Sequence, residues 1–111
     1  MAPTVWYYVR DLDSARRFYR ETLLFGEILY DPEENWVTTE RGGMEIGLAE
    51  GKPSEDGIAH VEVGDLKAEA ERLREAGVEV GIVVELGGEI RLLDVFDPDG
   101  NRLQFAEELR G

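Results

Sequence analysis

Residues 4–9 are rich in β-branched and aromatic side chains, with Val5, Tyr7 and Val9 on one side of an extended chain and Thr4, Trp6 and Tyr8 on the other. That is the pattern of a strand with two unlike faces. The period then lengthens to that of a helix. Leu12, Ala15, Tyr19, Thr22 and Leu23 share one face behind Asp11, a side chain suited to cap the first turn, and the helix is predicted to end near Phe25-Gly26. Strands are predicted over residues 27–31, 35–40 and 44–49, separated by the turn signals Asp31-Pro32 and Gly42-Gly43.

The second half repeats the order. A strand over 58–63 leads to Asp65, a second cap. The helix behind it carries Leu66, Ala70, Leu73 and Ala76 on one face and stops at Gly77. Strands are predicted over 78–86, 89–96 and 102–106, with Gly87-Gly88 and Asp97-Pro98-Asp99-Gly100 as turns. Val9-Arg10-Asp11-Leu12 is echoed by Val63-Gly64-Asp65-Leu66 at an offset of 54, and Gly43–Leu48 by Gly100–Phe105 at 57. Two copies of one strand-helix-three-strand module fit: module one over 1–50, a polar linker over 51–57 and module two over 58–111.

A chain of 111 residues is the size of one ordinary domain. A formal net charge of -13 repels phosphate-rich partners, so neither nucleic acid nor an anionic membrane surface is expected as a partner. No apolar run approaches the roughly 20 residues of a spanning helix, and Met1-Ala2-Pro3-Thr4 lacks the build of a secretion signal, so a cytoplasmic location is expected. The absence of Cys excludes disulfides, thiolate metal sites and thiol nucleophiles.

Three segments carry a family resemblance: Val9-Arg10-Asp11-Leu12-Asp13-Ser14-Ala15-Arg16-Arg17-Phe18-Tyr19 with Glu21-Thr22-Leu23, then Leu73-Arg74-Glu75-Ala76-Gly77-Val78, then Asp97-Pro98-Asp99-Gly100-Asn101-Arg102-Leu103. In this order and spacing the chain resembles the vicinal oxygen chelate superfamily, which includes glyoxalase I, bleomycin-resistance proteins, fosfomycin-resistance enzymes and extradiol dioxygenases. The resemblance implies an α+β fold of two βαβββ modules, each a half-barrel with its helix outside, and a homodimer, in some members with modules exchanged. One departure is Leu24-Phe25-Gly26, where similar proteins commonly have Leu-Gly-Phe; it is expected to shift the turn out of the helix.

If helices cover one face of each sheet, the alternate residues face the cavity: Thr4, Trp6, Tyr8, Glu45, Gly47, Ile58, His60, Glu62, Arg102 and Gln104. In metal-using relatives four His, Gln or Glu ligands come from the first and fourth strands of both modules. The resemblance carries those positions onto Thr4, Gly47, Ile58 and Gln104. Gly47 and Ile58 offer no side-chain donor and a Thr4 hydroxyl is a poor one, so no metal or other cofactor is expected there. A displaced site would use His60, Glu45, Glu62 and Gln104. Without a metal, Glu45, His60 and Glu62 are candidates for acid-base catalysis, set against a plain ion pair between Glu45 and Arg102. Ser14 and Ser54 fall on helix and linker, away from any matched base.

Trp6, Tyr8 and Trp36 are positioned to form an aromatic wall, and with Glu45, His60, Glu62, Arg102 and Gln104 they make up the candidate ligand-binding set. The leading expectation is a metal-free small-molecule binding protein resembling the bleomycin-resistance branch, taking an aromatic, cationic compound into a dimeric cavity. The alternatives are a metal-dependent lyase or dioxygenase using the displaced site, and a dimerising accessory module whose cavity is filled by its own side chains.

Overall fold

The computed structural model describes residues 4–52 and 58–109, so most of the linker and both chain ends lie outside the described residues. Module one runs β1 (Thr4–Val9), α1 (Leu12–Arg17), a π-helical turn (Phe18–Thr22), β2 (Gly26–Asp31), β3 (Trp36–Arg41) and β4 (Met44–Glu50). Module two runs β5 (Ala59–Glu62), α2 (Leu66–Glu75), β6 (Glu79–Val80), β7 (Val84–Leu86), β8 (Ile90–Phe96) and β9 (Arg102–Glu108). Their sheets have the same strand order, β1-β4-β3-β2 and β5-β9-β8-β6, with β7 also on β8. In both, the first strand lies parallel to the last and the others are antiparallel. The shared strand order establishes the duplication in space.

Local chemistry sets the elements where the sequence placed them. Asp11 accepts hydrogen bonds from the backbone N–H groups of Asp13 and Ser14, and Asp65 from that of Ala68. Gly42-Gly43 and Gly87-Gly88 close two hairpins with positive φ at both positions, between 59° and 77°, the backbone of a tight two-residue turn. Gly100 N–H bonds the Asp97 carbonyl at 3.0 Å, so Asp97-Pro98-Asp99-Gly100 does turn the last hairpin.

Two elements depart from the sequence reading. The first helix does not stay α-helical to its end. It widens into the π turn, with Leu23 N–H bonded to the Phe18 carbonyl at 3.0 Å. The widened turn carries Tyr19, whose ring lies edge-on to Phe18 and Phe25. The strand expected over 78–86 is broken, because pairing against β8 slips by one residue between Val80↔Val95 and Val84↔Leu92. The interruption falls at Gly81–Val83, and the apolar neighbours Ile82, Val83 and Val84 hide it from a period-two reading.

The predicted sidedness holds. Tyr7 and Val9 of β1, Met44, Ile46 and Leu48 of β4, Ala59 and Val61 of β5, and Leu103 and Phe105 of β9 are buried with Leu12, Ala15, Leu66, Ala70 and Leu73 of the helices, in one core fed by both modules. Polar contacts cross between the modules as well. The Tyr7 hydroxyl accepts from Ala59 N–H at 2.8 Å and donates to the Arg102 carbonyl; burial pushes its pKa up to about 12, so it stays a donor. Arg41 meets Glu69 at 2.7 Å and bonds the Leu23 carbonyl, while Arg72 bonds that of Thr22. Burial alone would raise the Glu69 pKa; Arg72 and Arg41 outweigh it and hold the group ionised below the usual range. Among the described residues, no helix is long and apolar enough to cross a membrane.

The first and last of the family-like segments are joined through Asp97. Its buried carboxylate accepts from the backbone N–H groups of Asp99 and Asn101, from Asn101 Nδ2 and from the Tyr19 hydroxyl, at 2.8 to 2.9 Å. Asn101 Nδ2 also bonds the Tyr8 carbonyl. Tyr19→Phe should cost about 1–2 kcal/mol in denaturant unfolding, with three donors left on the carboxylate. Leu24, half exposed, sits in the left-handed region at φ 62°, next to the turn where relatives place glycine. Leu24→Gly should therefore stabilise the fold by about 0.5–1 kcal/mol in the same assay, despite the extra chain entropy of glycine.

Candidate functional site

The face of each sheet turned away from the helices is open. In module one, register lays it out in three rows: Thr4, Glu45, Glu40 and Gly26; Trp6, Gly47, Thr38 and Leu29; Tyr8, Ala49, Trp36 and Asp31. Carboxylates stand in two of these rows and none of the three contains Lys or Arg. Trp6 and Tyr8 are each 47% exposed, so this face is lined but not filled. Trp6 and Trp36 meet edge-to-face with ring centroids 6.1 Å apart.

The Trp6 indole is held by the absence of a side chain beneath it. A Cβ on Gly47 would stand 2.4 Å from the ring, closer than any packed contact allows. Gly47 is thus the floor on which the indole lies, the use of a strand glycine that a close approach demands. Tyr8 packs in the same way over Gly51.

In module two the open face carries the lateral row His60, Gln104 and Asp94, flanked by Glu62, Ala106, Leu92 and Val84 on one side and by Arg102 and Phe96 on the other. A pocket of about 130 Å³ is lined by Ile82, Val84, Leu92, Leu93, Asp94 and Gln104. Arg102 reaches Asp94 at 3.1 Å.

The glyoxalase/bleomycin resistance protein/dioxygenase superfamily model matches residues 2–105. The chain belongs to that superfamily. Solved members share the fold at low identity. A superfamily protein from Sphaerobacter thermophilus has 24% identity and a TM-score of 0.82 with 97% of each chain covered. TnmS3, an antibiotic binding protein from Streptomyces sp. CB03234, has 22% identity and a TM-score of 0.80, covering 97% of this chain and 95% of its own. Lactoylglutathione lyase from Agrobacterium tumefaciens has 18% identity and a TM-score of 0.74, over 96% and 92%. No curated protein matches the sequence.

The four positions that the resemblance assigns to metal ligands do not fit a metal here. Thr4 spends its hydroxyl on Glu45 at 3.1 Å, Ile58 is aliphatic, and the place of the Gly47 donor is taken by the Trp6 ring. Only Gln104 remains, and one carboxamide does not hold a divalent ion. The displaced set is not assembled either. His60 and Gln104 are direct neighbours, but Glu62 lies further along β5 and Glu45 stands on the other sheet. Among the described residues, no three His, Asp or Glu side chains gather as metal donors.

The Glu45–Arg102 ion pair does not form. The two positions are equivalent in the repeat, but equivalence puts them on different sheets; Glu45 takes Thr4 and Arg102 takes Asp94. Within one chain Glu45 and Glu62 likewise stand on different sheets. Of the candidate wall, Trp6 and Trp36 are in contact, with Tyr8 in the row of Trp36. Sequence reasoning missed Asp94 and the apolar group around it, because Leu92, Leu93, Val95 and Phe96 leave β8 without a clean alternation; only the parity of Asp94 with Gln104 marks its face. Gly47→Ala should swing the Trp6 indole off the sheet, read as a red-shifted emission and a loss of near-UV circular dichroism with little change in unfolding midpoint.

Proposed function

We propose that this chain is a metal-free binding protein for a planar, cationic small molecule, resembling the bleomycin-resistance branch of its superfamily. The observation that carries the reading is the Trp6 indole seated on Gly47, a position that the family resemblance assigns to a chelating side chain. Trp36 stands edge-on to it, and Glu40, Glu45 and Asp31 border the same face with no basic residue in the three rows. Aromatic rings beside carboxylates favour a flat cation by stacking, cation–π attraction and charge. The exposed indole and phenol argue against a face already filled by its own side chains.

The binding unit we propose is a homodimer in which the open faces are closed by a second copy. Leu29, Trp6 and Tyr8 on one sheet and Leu86 by the other are large apolar side chains left exposed, the kind of surface a second copy would cover. Such a dimer leaves the core of each chain intact.

Tryptophan emission titrated with ethidium or bleomycin tests the reading. Saturable quenching is expected, weakened about tenfold or more by Trp6→Ala and by Trp36→Ala, with sedimentation at twice the chain mass. Full affinity in both variants, or about one bound divalent metal per chain by elemental analysis, would refute it.

A further inference from the structure

From the module two pocket we infer that the protein holds a second, chemically distinct subsite, one that takes the primary ammonium end of an aliphatic chain on Asp94. The inference rests on the proposed function in one respect, that ligands occupy the open faces; it adds the chemistry of a site that the aromatic wall does not reach for.

The pocket combines an apolar wall with a small polar floor. Ile82, 78% exposed, with Val84 and Leu92, forms the wall, and Asp94 with Gln104 forms the floor. About 130 Å³ suits a short alkyl chain and excludes a fused aromatic ring system. The Asp94 side chain lines this space and is 34% exposed overall although its Oδ1 is sealed from solvent, so the carboxylate is partly desolvated, where a charge-assisted hydrogen bond is strongest. Gln104 stands directly across from Asp94 in the register, and its amide oxygen supplies a second acceptor of the kind a three-donor ammonium uses. His60 follows in the same row as the next polar side chain.

Arg102 is the competitor. It approaches Asp94 Oδ1 at 3.1 Å, yet that oxygen, out of contact with water, receives no aligned hydrogen bond. The guanidinium therefore contributes charge without satisfying the acceptor. Such a half-exposed pair is weak and exchangeable, and an incoming ammonium replaces it with aligned N–H donors. The subsite consequently predicts opposite effects for two neighbouring substitutions.

The probes are n-butylammonium and its neutral counterpart 1-butanol, followed by methyl-resolved NMR titration of Val84 and Leu92. The ammonium is expected to bind about tenfold more tightly than the alcohol. Asp94→Asn should erase that preference, Arg102→Gln should enlarge it, and Ile82→Ala, on an exposed side chain, should weaken both probes together. Trp6→Ala should change neither. Equal affinity for the two probes, loss of ammonium binding in Arg102→Gln, or an Asp94→Asn variant that keeps its preference would each overturn the subsite. Because the aliphatic probes do not require the indoles, their failure with ethidium still bound removes only this pocket, whereas loss of ethidium binding with butylammonium retained removes only the aromatic reading.

Discussion

The two modules depend on a seam, and one buried phenol spans it. β1 and β5 each end a sheet, and an edge strand leaves backbone groups without ladder partners. At the β5 edge the Tyr7 hydroxyl supplies a partner, accepting from Ala59 N–H, and it also donates to the Arg102 carbonyl of β9 from within the core. Because Tyr7 belongs to the buried parity of β1, its placement also fixes which residues look the other way. The sidedness that makes Trp6 and Tyr8 available is the same fact as the sidedness that lets Tyr7 join the sheets.

The family-like segments are structural before they are functional. Tyr19 comes from the first segment and Asp97 with Asn101 from the last, and they meet in one buried hydrogen-bonded cluster. Burial pushes the Asp97 carboxyl pKa up, and the donors around it pull the other way. The segments therefore report the fold reliably and leave open what the fold holds. TnmS3 and lactoylglutathione lyase both share the architecture under quite different descriptions.

Much of this was legible from residue order. The caps at Asp11 and Asp65, the glycine-pair turns and the alternation in β1, β4, β5 and β9 each rest on local chemistry that a sequence displays directly. What escaped was non-local. The slip of β6 and β7 against β8 depends on pairing, and the π turn accompanies the packing of Tyr19 between Phe18 and Phe25. The pairing of Glu45 with Arg102 was inferred from repeat equivalence, and repeat symmetry relates positions without making them neighbours. The aromatic contact was anticipated from parity, but the fit of indole to glycine emerges only once Trp6 is seen to lie directly across from Gly47.

Folding energy is carried by one side of these strands, and the recognition we propose by the other. Leu48, Val61 and Phe105 are sealed in the interior, while Trp6, His60 and Arg102 stand on the outer pleats. On the proposed binding reading, a codon change on those outer pleats alters what is recognised and leaves the interior undisturbed. Such a scaffold can drift from one guest to another in single steps, each intermediate remaining a well-folded protein.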